Sequence, residues 1–293
     1  MSKRRALLIG ASEYESDAIP DLPIVCQDLK SLHAALEKSG FAVRSLGEDG
    51  LSYGRSKILQ TLRRECKAAQ KLEILLLYFS GHGMHFRGKD YLIPSDAALD
   101  DAEAVEEYLV PIDLGSIIDQ SDAKTIIFFV DACREGIKLG FKDTYLAGWS
   151  RGERRQATQR SFVLVFACSP GQVSHYVGGE RGFSLFSQAL AEVLDPKHSA
   201  CTVRDVLDET QARLNALAAE HKKQPQKIYW PTRVQLRRIL PPASFAMVYL
   251  RQLRKTKLPI PGPMQSCNHL FGKKRVRVRI VLAPNSSGRS LKC

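Results

Sequence analysis

Two apolar runs, each ending in small residues and one reactive side chain, constrain this chain more than any other feature. The first is Ile74–Phe79, followed by Ser80-Gly81-His82-Gly83. The second is Thr125–Val130, followed by Asp131-Ala132-Cys133-Arg134. Continuous apolar runs of this length predict strands buried on both faces, as in parallel sheets covered by helices. Open α/β sheets keep their chemistry outside the carboxyl ends of the strands. If these two strands are parallel neighbours, His82 and Cys133 meet at one sheet edge. A histidine between two glycines is expected there on an exposed, tight turn.

The remaining pattern agrees with such a sheet. Arg5–Ala11 predicts a first strand, and Pro23–Ser39 a helix with Val25, Leu29, Leu32 and Leu36 on one face and Gly40 as its stop. Phe41–Leu46 reads as a strand and Gly54–Ala69 as a helix. Met84–Asp122 is a long excursion with a short apolar piece at Tyr91–Pro94 and a short helix within Pro111–Gln120. Glu135–Arg160 is polar and predicts a mobile surface loop. Ser161–Cys168 is a further strand. Phe183–Leu194 is helical or begins with a short extended piece, and Thr202–Glu220 is a long amphipathic helix. Strands alternating with helices predict an α/β fold with helices on both faces.

Charge divides the chain. Of 43 Lys/Arg and 31 Asp/Glu, residues 231–293 carry 14 basic residues and no acid. Residues 1–230 are therefore nearly neutral, and the basicity belongs to a Pro-rich tail without a visible core pattern. Two domains are expected: 1–230, and the tail 231–293. The seven cysteines are scattered, with no CxxC, which fits a reduced, cytoplasmic protein. No run approaches the ~18 apolar residues of a membrane span. The apolar stretch after Lys3-Arg4-Arg5 is too short for a signal peptide.

A cysteine near a histidine points to a thiolate nucleophile. His82 would take the thiol proton and later protonate the leaving amine. The backbone N–H groups of Gly83 and Cys133 are candidate donors to the oxyanion. Taken singly, a cysteine after a strand is usually core and a loop histidine usually solvated. The joint pattern, two strand ends 51 positions apart, favours chemistry.

SGHG at 80–83 followed by DACR at 131–134 resembles the caspase–metacaspase clan of cysteine peptidases, in its bacterial metacaspase or orthocaspase form. The caspase signature is Q-A-C-[RQG]-G with a histidine about 50 residues upstream. Here Asp131 replaces the Gln, and Glu135 displaces the final Gly to 136. Tyr91–Asp96 and Ala167–Gln172 extend the similarity, which runs from the first strand to about residue 228. The resemblance implies a His82/Cys133 dyad acting on polypeptides. It also implies a three-layer sandwich of about six mostly parallel strands flanked by helices.

In metacaspases an acid two before the cysteine and another in a Cys-x-x-Asp setting line the specificity pocket. Here these are Asp131 and Asp28, the latter in Cys26-Gln27-Asp28. Two carboxylates would select arginine or lysine. The plainer alternatives are a helix-surface acid at 28 and a turn acid at 131. The family also has a processing loop after the cysteine strand, which makes Arg151, Arg154, Arg155 and Arg160 self-cleavage candidates, Arg155 foremost. Simple solvation is their alternative.

No cofactor or metal is expected. Asp96, Asp100 and Asp101 resemble the carboxylates that bind calcium in some metacaspases, but the loop lacks a regular liganding pattern. His85, three residues after His82, has no third ligand near it and is expected to face solvent. A second reading stays open: a caspase-like scaffold whose tail 231–293 binds nucleic acid or an anionic membrane.

Overall fold

Five parallel strands form the centre of the fold, and each arises from one of the predicted strands. The structure, a computed structural model, describes residues 2–100, 103–133, 161–169, 172–179, 182–196, 202–230, 270–271 and 274–275. In chain order the first elements are β1 (Arg4–Gly10), α1 (Ile24–Lys38), β2 (Ala42–Leu46), α2 (Arg55–Ala68) and β3 (Ile74–Phe86). Then come β4 (Lys89–Leu92), the single turn α3 (Val105–Tyr108), β5 (Val110–Pro111), α4 (Gly115–Ile118) and β6 (Thr125–Cys133). β7 (Ser161–Phe166), a short hairpin β8 (Tyr176–Val177) and β9 (Phe183–Ser184), α5 (Leu185–Leu194) and α6 (Val203–Glu220) follow.

The parallel strands lie in the order β2-β1-β3-β6-β7. Tyr229 occupies the sixth position beside β7, bonded both ways to Phe166 at 2.8 and 3.0 Å. Alternation along the strands splits the core in two. Leu76, Tyr78, Ile127 and Phe129 face α1, α5 and α6. Leu75, Leu77, Ile126 and Phe128 face α2 and α4. These are the two covered faces that the unbroken apolar runs require.

β3 departs from expectation at the motif itself. The strand does not end in a turn at Ser80–Gly83; it continues to Phe86 and changes partners. Up to His82 it pairs in parallel with β6, the last pair being His82 with Cys133. From Gly83 it pairs antiparallel with β4, beginning with Leu92. Arg87 and Gly88 close this hairpin with φ of 47° and 78°, the signature of a tight primed turn. His82 is therefore buried, with 2% of its surface exposed, rather than displayed on an exposed turn. Apolar residues on both sides of the hairpin, including Met84 and Tyr91, form a third cluster with Ile19. That cluster explains why the strand carries on.

The chain divides into two compact units, Met1–Tyr249 and Leu250–Cys293. In the second, β10 (Leu270–Phe271) and β11 (Lys274–Arg275) pair antiparallel. The rest of the tail, residues 134–160 with Arg151, Arg154, Arg155 and Arg160, and Asp101 lie outside the described residues. Among the described residues no helix is long and apolar enough to cross a membrane.

Candidate active site

His82 and Cys133 hold the same register position on adjacent strands. Alternation assigns His82 to the face of Tyr78, beneath α1 and α5. Neighbouring strands run about 4.8 Å apart, so the two main chains are within reach of a side-chain pair. The two expected strands are parallel neighbours, with His82 and Cys133 at paired backbone positions.

The loop between β1 and α1 orients the histidine. His82 Nε2 lies 2.7 Å from the Pro20 carbonyl oxygen. A carbonyl only accepts, so Nε2 carries the hydrogen, and Nδ1 of the neutral ring holds the lone pair. The His82 backbone N–H donates to the Tyr14 hydroxyl at 3.0 Å, and the Tyr14 and His82 rings are tilted against each other with centroids 5.1 Å apart. Gly81 is dictated by this crowding. A Cβ there would stand 3.0 Å from the Phe79 ring and 3.1 Å from the Tyr14 hydroxyl.

Gly83 follows from the hairpin phase. The Ile93 N–H donates to the His82 carbonyl at 2.9 Å, which marks His82–Ile93 as a hydrogen-bonded position. In an antiparallel ladder the next position, Gly83–Leu92, is then of the non-bonded kind. The Gly83 N–H is accordingly directed away from β4, toward the β6 side where Cys133 lies.

Asp28 and Asp131 come together around one serine. Ser184 ends β9 and caps α5, its hydroxyl accepting the Ser187 N–H. The Ser184 N–H donates to Asp28 Oδ1 at 2.9 Å, and its hydroxyl donates to Asp131 Oδ2 at 2.6 Å. Asp131 also accepts hydroxyls from Tyr78 at 3.2 Å and Ser174 at 2.9 Å. Ser174 is in turn within 3.3 Å of the buried Gln226 amide. Asp28 is buried and is not a helix-surface acid; among the described residues its Oδ2 accepts no hydrogen bond.

Burial first, and then the charge of Asp131, push the Asp28 carboxyl well above the usual range. Burial also raises Asp131, while its three hydroxyl donors pull the other way. The N-terminal end of α5 adds its positive dipole end to the same spot. Tyr78 is held protonated by its own burial and by both acids, so it stays a donor. The result is a buried acid pair with one carboxylate oxygen unused.

Other candidates separate from the site. Asp96 Oδ1 accepts the Arg55 N–H at 2.8 Å at the start of α2, and its carboxylate fills the space a side chain at Gly54 would need. Asp96 is thus a helix cap supplied from a distant loop. Among the described residues no cluster of three or more His, Cys, Asp or Glu is arranged to hold a metal. His85 is not solvent-facing; 22% of its side chain is exposed and Nδ1 lies 2.7 Å from Asp90 Oδ1 across the hairpin. Burial pushes the Cys66 thiol up to about 12, which leaves it inert as a rival nucleophile.

Sequence reasoning missed Tyr14, Pro20, Tyr78, Ser174, Ser184 and Gln226. Only Ser184 carried a local signal, as a serine directly before a helical pattern. The others act through contacts between segments far apart in the chain.

A covered parallel sheet with chemistry-bearing residues paired where β3 leaves β6 defines the α/β class that works at its carboxyl edge. The particular family follows from comparison: the caspase domain model matches residues 3–240, and the chain belongs to that family. Its members are cysteine peptidases, and this chain is a hydrolase of that kind. The fold is shared with caspase-1 from Spodoptera frugiperda, at 18% identity over 81% of this chain and 89% of that one, TM-score 0.54. The pro-form of that enzyme gives 17% identity, 82% and 96% coverage and a TM-score of 0.56. The Drosophila initiator caspase Dronc gives 12%, 80% and 82%, and 0.52. No curated protein matches the chain by sequence.

Proposed function

We propose that this cysteine peptidase is an endopeptidase with a His82/Cys133 dyad that cleaves after arginine or lysine. The observation that carries the specificity is the acid pair: Asp28 and Asp131 joined through Ser184, with Asp28 Oδ2 left over. A guanidinium or ammonium supplies the cation that such a pair lacks.

In this reading Cys133 Sγ, as thiolate, attacks the carbonyl carbon on the C-terminal side of the basic residue. Its proton goes to His82 Nδ1, the ring being held by the Nε2–H bond to Pro20. The carbonyl oxygen gains negative charge and is met by the N–H groups of Gly83 and Cys133. Collapse of the tetrahedral intermediate breaks the C–N bond, and the leaving amine takes the proton from His82. Water then hydrolyses the thioester by the reverse sequence. Peptides with Arg, Lys or Asp before the scissile bond test the reading. Cleavage after Arg and Lys, absent in Cys133→Ala, is expected; preference for Asp would overturn the pocket assignment.

Self-processing between β6 and β7 belongs to the same proposal. The acid-free tail favours one compatible addition, contact of 231–293 with nucleic acid or an anionic surface. Its test is binding that weakens with salt and disappears when the tail is removed.

A further inference from the structure

The loop from Ala11 to Leu22 touches His82 at two points, and a hydrogen bond of its own ties those points together. At the first point the Tyr14 hydroxyl accepts the His82 N–H and donates to the Ala11 carbonyl, both at 3.0 Å. At the second the Pro20 carbonyl accepts the Nε2–H at 2.7 Å. Asp21, next to Pro20, accepts the Tyr14 backbone N–H through Oδ1 at 3.0 Å. The mouth of the loop is closed by the Leu22 N–H to the Ser12 carbonyl at 2.7 Å.

We propose that Tyr14 and Asp21 are positioning residues that fix the main chain and the ring of His82 as one unit. The proposal rests on the reading of His82 as the base of the dyad. His82 stands where β3 changes from a parallel to an antiparallel partner, and there its N–H is met by a side-chain hydroxyl. The main chain at His82 is thus only as well placed as that hydroxyl. The ring is only as well placed as the Pro20 carbonyl, and the Asp21–Tyr14 bond sets the spacing between the two. A displacement of about 1 Å in a reacting group costs on the order of 100-fold in rate. Partial release of one grip is therefore worth roughly tenfold.

The full-length chain is assayed in two ways: kcat and KM on a peptide the wild type cleaves, and iodoacetamide alkylation of Cys133 against pH, read from the mass of the Cys133 peptide. Alkylation reports the thiolate that His82 stabilises and needs no substrate. Tyr14→Phe keeps the ring and loses the hydroxyl. Asp21→Ala alters an exposed residue, so its fold is safe if that of Tyr14→Phe is not. Each is expected to lower kcat about tenfold with KM within about twofold, and to move the alkylation midpoint upward, less far than His82→Ala does. Asp21→Asn keeps the accepting oxygen and is expected to recover most of what Asp21→Ala loses. A midpoint displaced by His82→Ala but unmoved by Tyr14→Phe and Asp21→Ala would overturn the clamp alone. A midpoint that His82→Ala leaves in place would overturn the dyad, and the clamp with it.

Discussion

Cys133→Ala is expected to abolish peptide hydrolysis, and His82→Ala to reduce kcat/KM by about 10³-fold or more, since general base catalysis and the thiolate partner vanish together. Initial rates on an arginyl peptide check both. The two acids of the proposed pocket should separate in a way their shared charge hides. Asp28 titrates above the usual carboxylate range in the folded chain because burial and Asp131 disfavour its charge. Below about pH 4 it is neutral in folded and unfolded chains alike, and its contribution to stability is fully present. As pH rises through the folded value that contribution is lost. Asp28→Asn keeps an oxygen for the Ser184 N–H and removes the titration, so it should raise Tm at pH 8 and gain less near pH 4. A gain of about 1 kcal/mol corresponds to roughly 2–4 °C in a domain of this size. The same change should cost on the order of 3 kcal/mol in kcat/KM for arginine, about 100-fold. Asp131→Asn should instead destabilise by about 1–3 kcal/mol, because one of three hydroxyl donors then faces an amide N–H₂. Thermal melts of the two variants at both pH values decide the contrast.

Among the elements, β1, β3, β6 and β7 were legible because each is apolar on both faces, and α1, α2 and α6 because their apolar residues recur at helical spacing. The extension of β3 to Phe86 was not, because Gly81 and Gly83 carry the chemistry of a turn. What overrides them is tertiary: the Tyr14 hydroxyl occupies the space beside Gly81, and Leu92 with its hairpin pairs beyond Gly83. The pairing of His82 with Cys133 was legible because two apolar runs of similar length set as parallel neighbours bring their ends into one register. Tyr14, Ser174 and Gln226 were not, since each meets the site from a loop whose path no local pattern fixes. Asp96 shows the same limit: no local pattern marks it as the cap of α2, whose N-cap Gly54 has no side chain to do so. Asp96→Ala should destabilise the chain by about 1 kcal/mol, the usual worth of a cap, as measured by urea denaturation. An unchanged midpoint would show that the Arg55 N–H finds another acceptor.

For the whole molecule, sheet geometry limits where the proposed self-cleavage can fall. The first residue of β7, Ser161, pairs with Thr125, and its N–H donates to the Lys124 carbonyl at 3.2 Å. Thr125 and Cys133 are eight residues apart along β6, about 26 Å at 3.3 Å per residue. Ser161 is thus anchored at the edge of the sheet opposite the site, and any scissile bond upstream must cover that distance. A fully extended chain spans at most about 3.6 Å per residue. From Ser161 the bond after Arg160 has no reach. Arg155 lies six residues away, about 22 Å at full stretch, and Arg154 seven, about 25 Å. Arg151, ten residues away, commands about 36 Å and has slack to bend into the site. The sequence alone favours Arg155; the anchored strand favours Arg151 for cleavage within one chain. With β7 paired, purified wild type is expected to yield two fragments divided after Arg151, at a first-order rate independent of protein concentration, and none in Cys133→Ala. Cutting after Arg154, Arg155 or Arg160 should need a second molecule and quicken with concentration. Mass spectrometry of a dilution series separates the two, and a concentration-independent cut after Arg155 would mean that β7 releases Ser161 before processing.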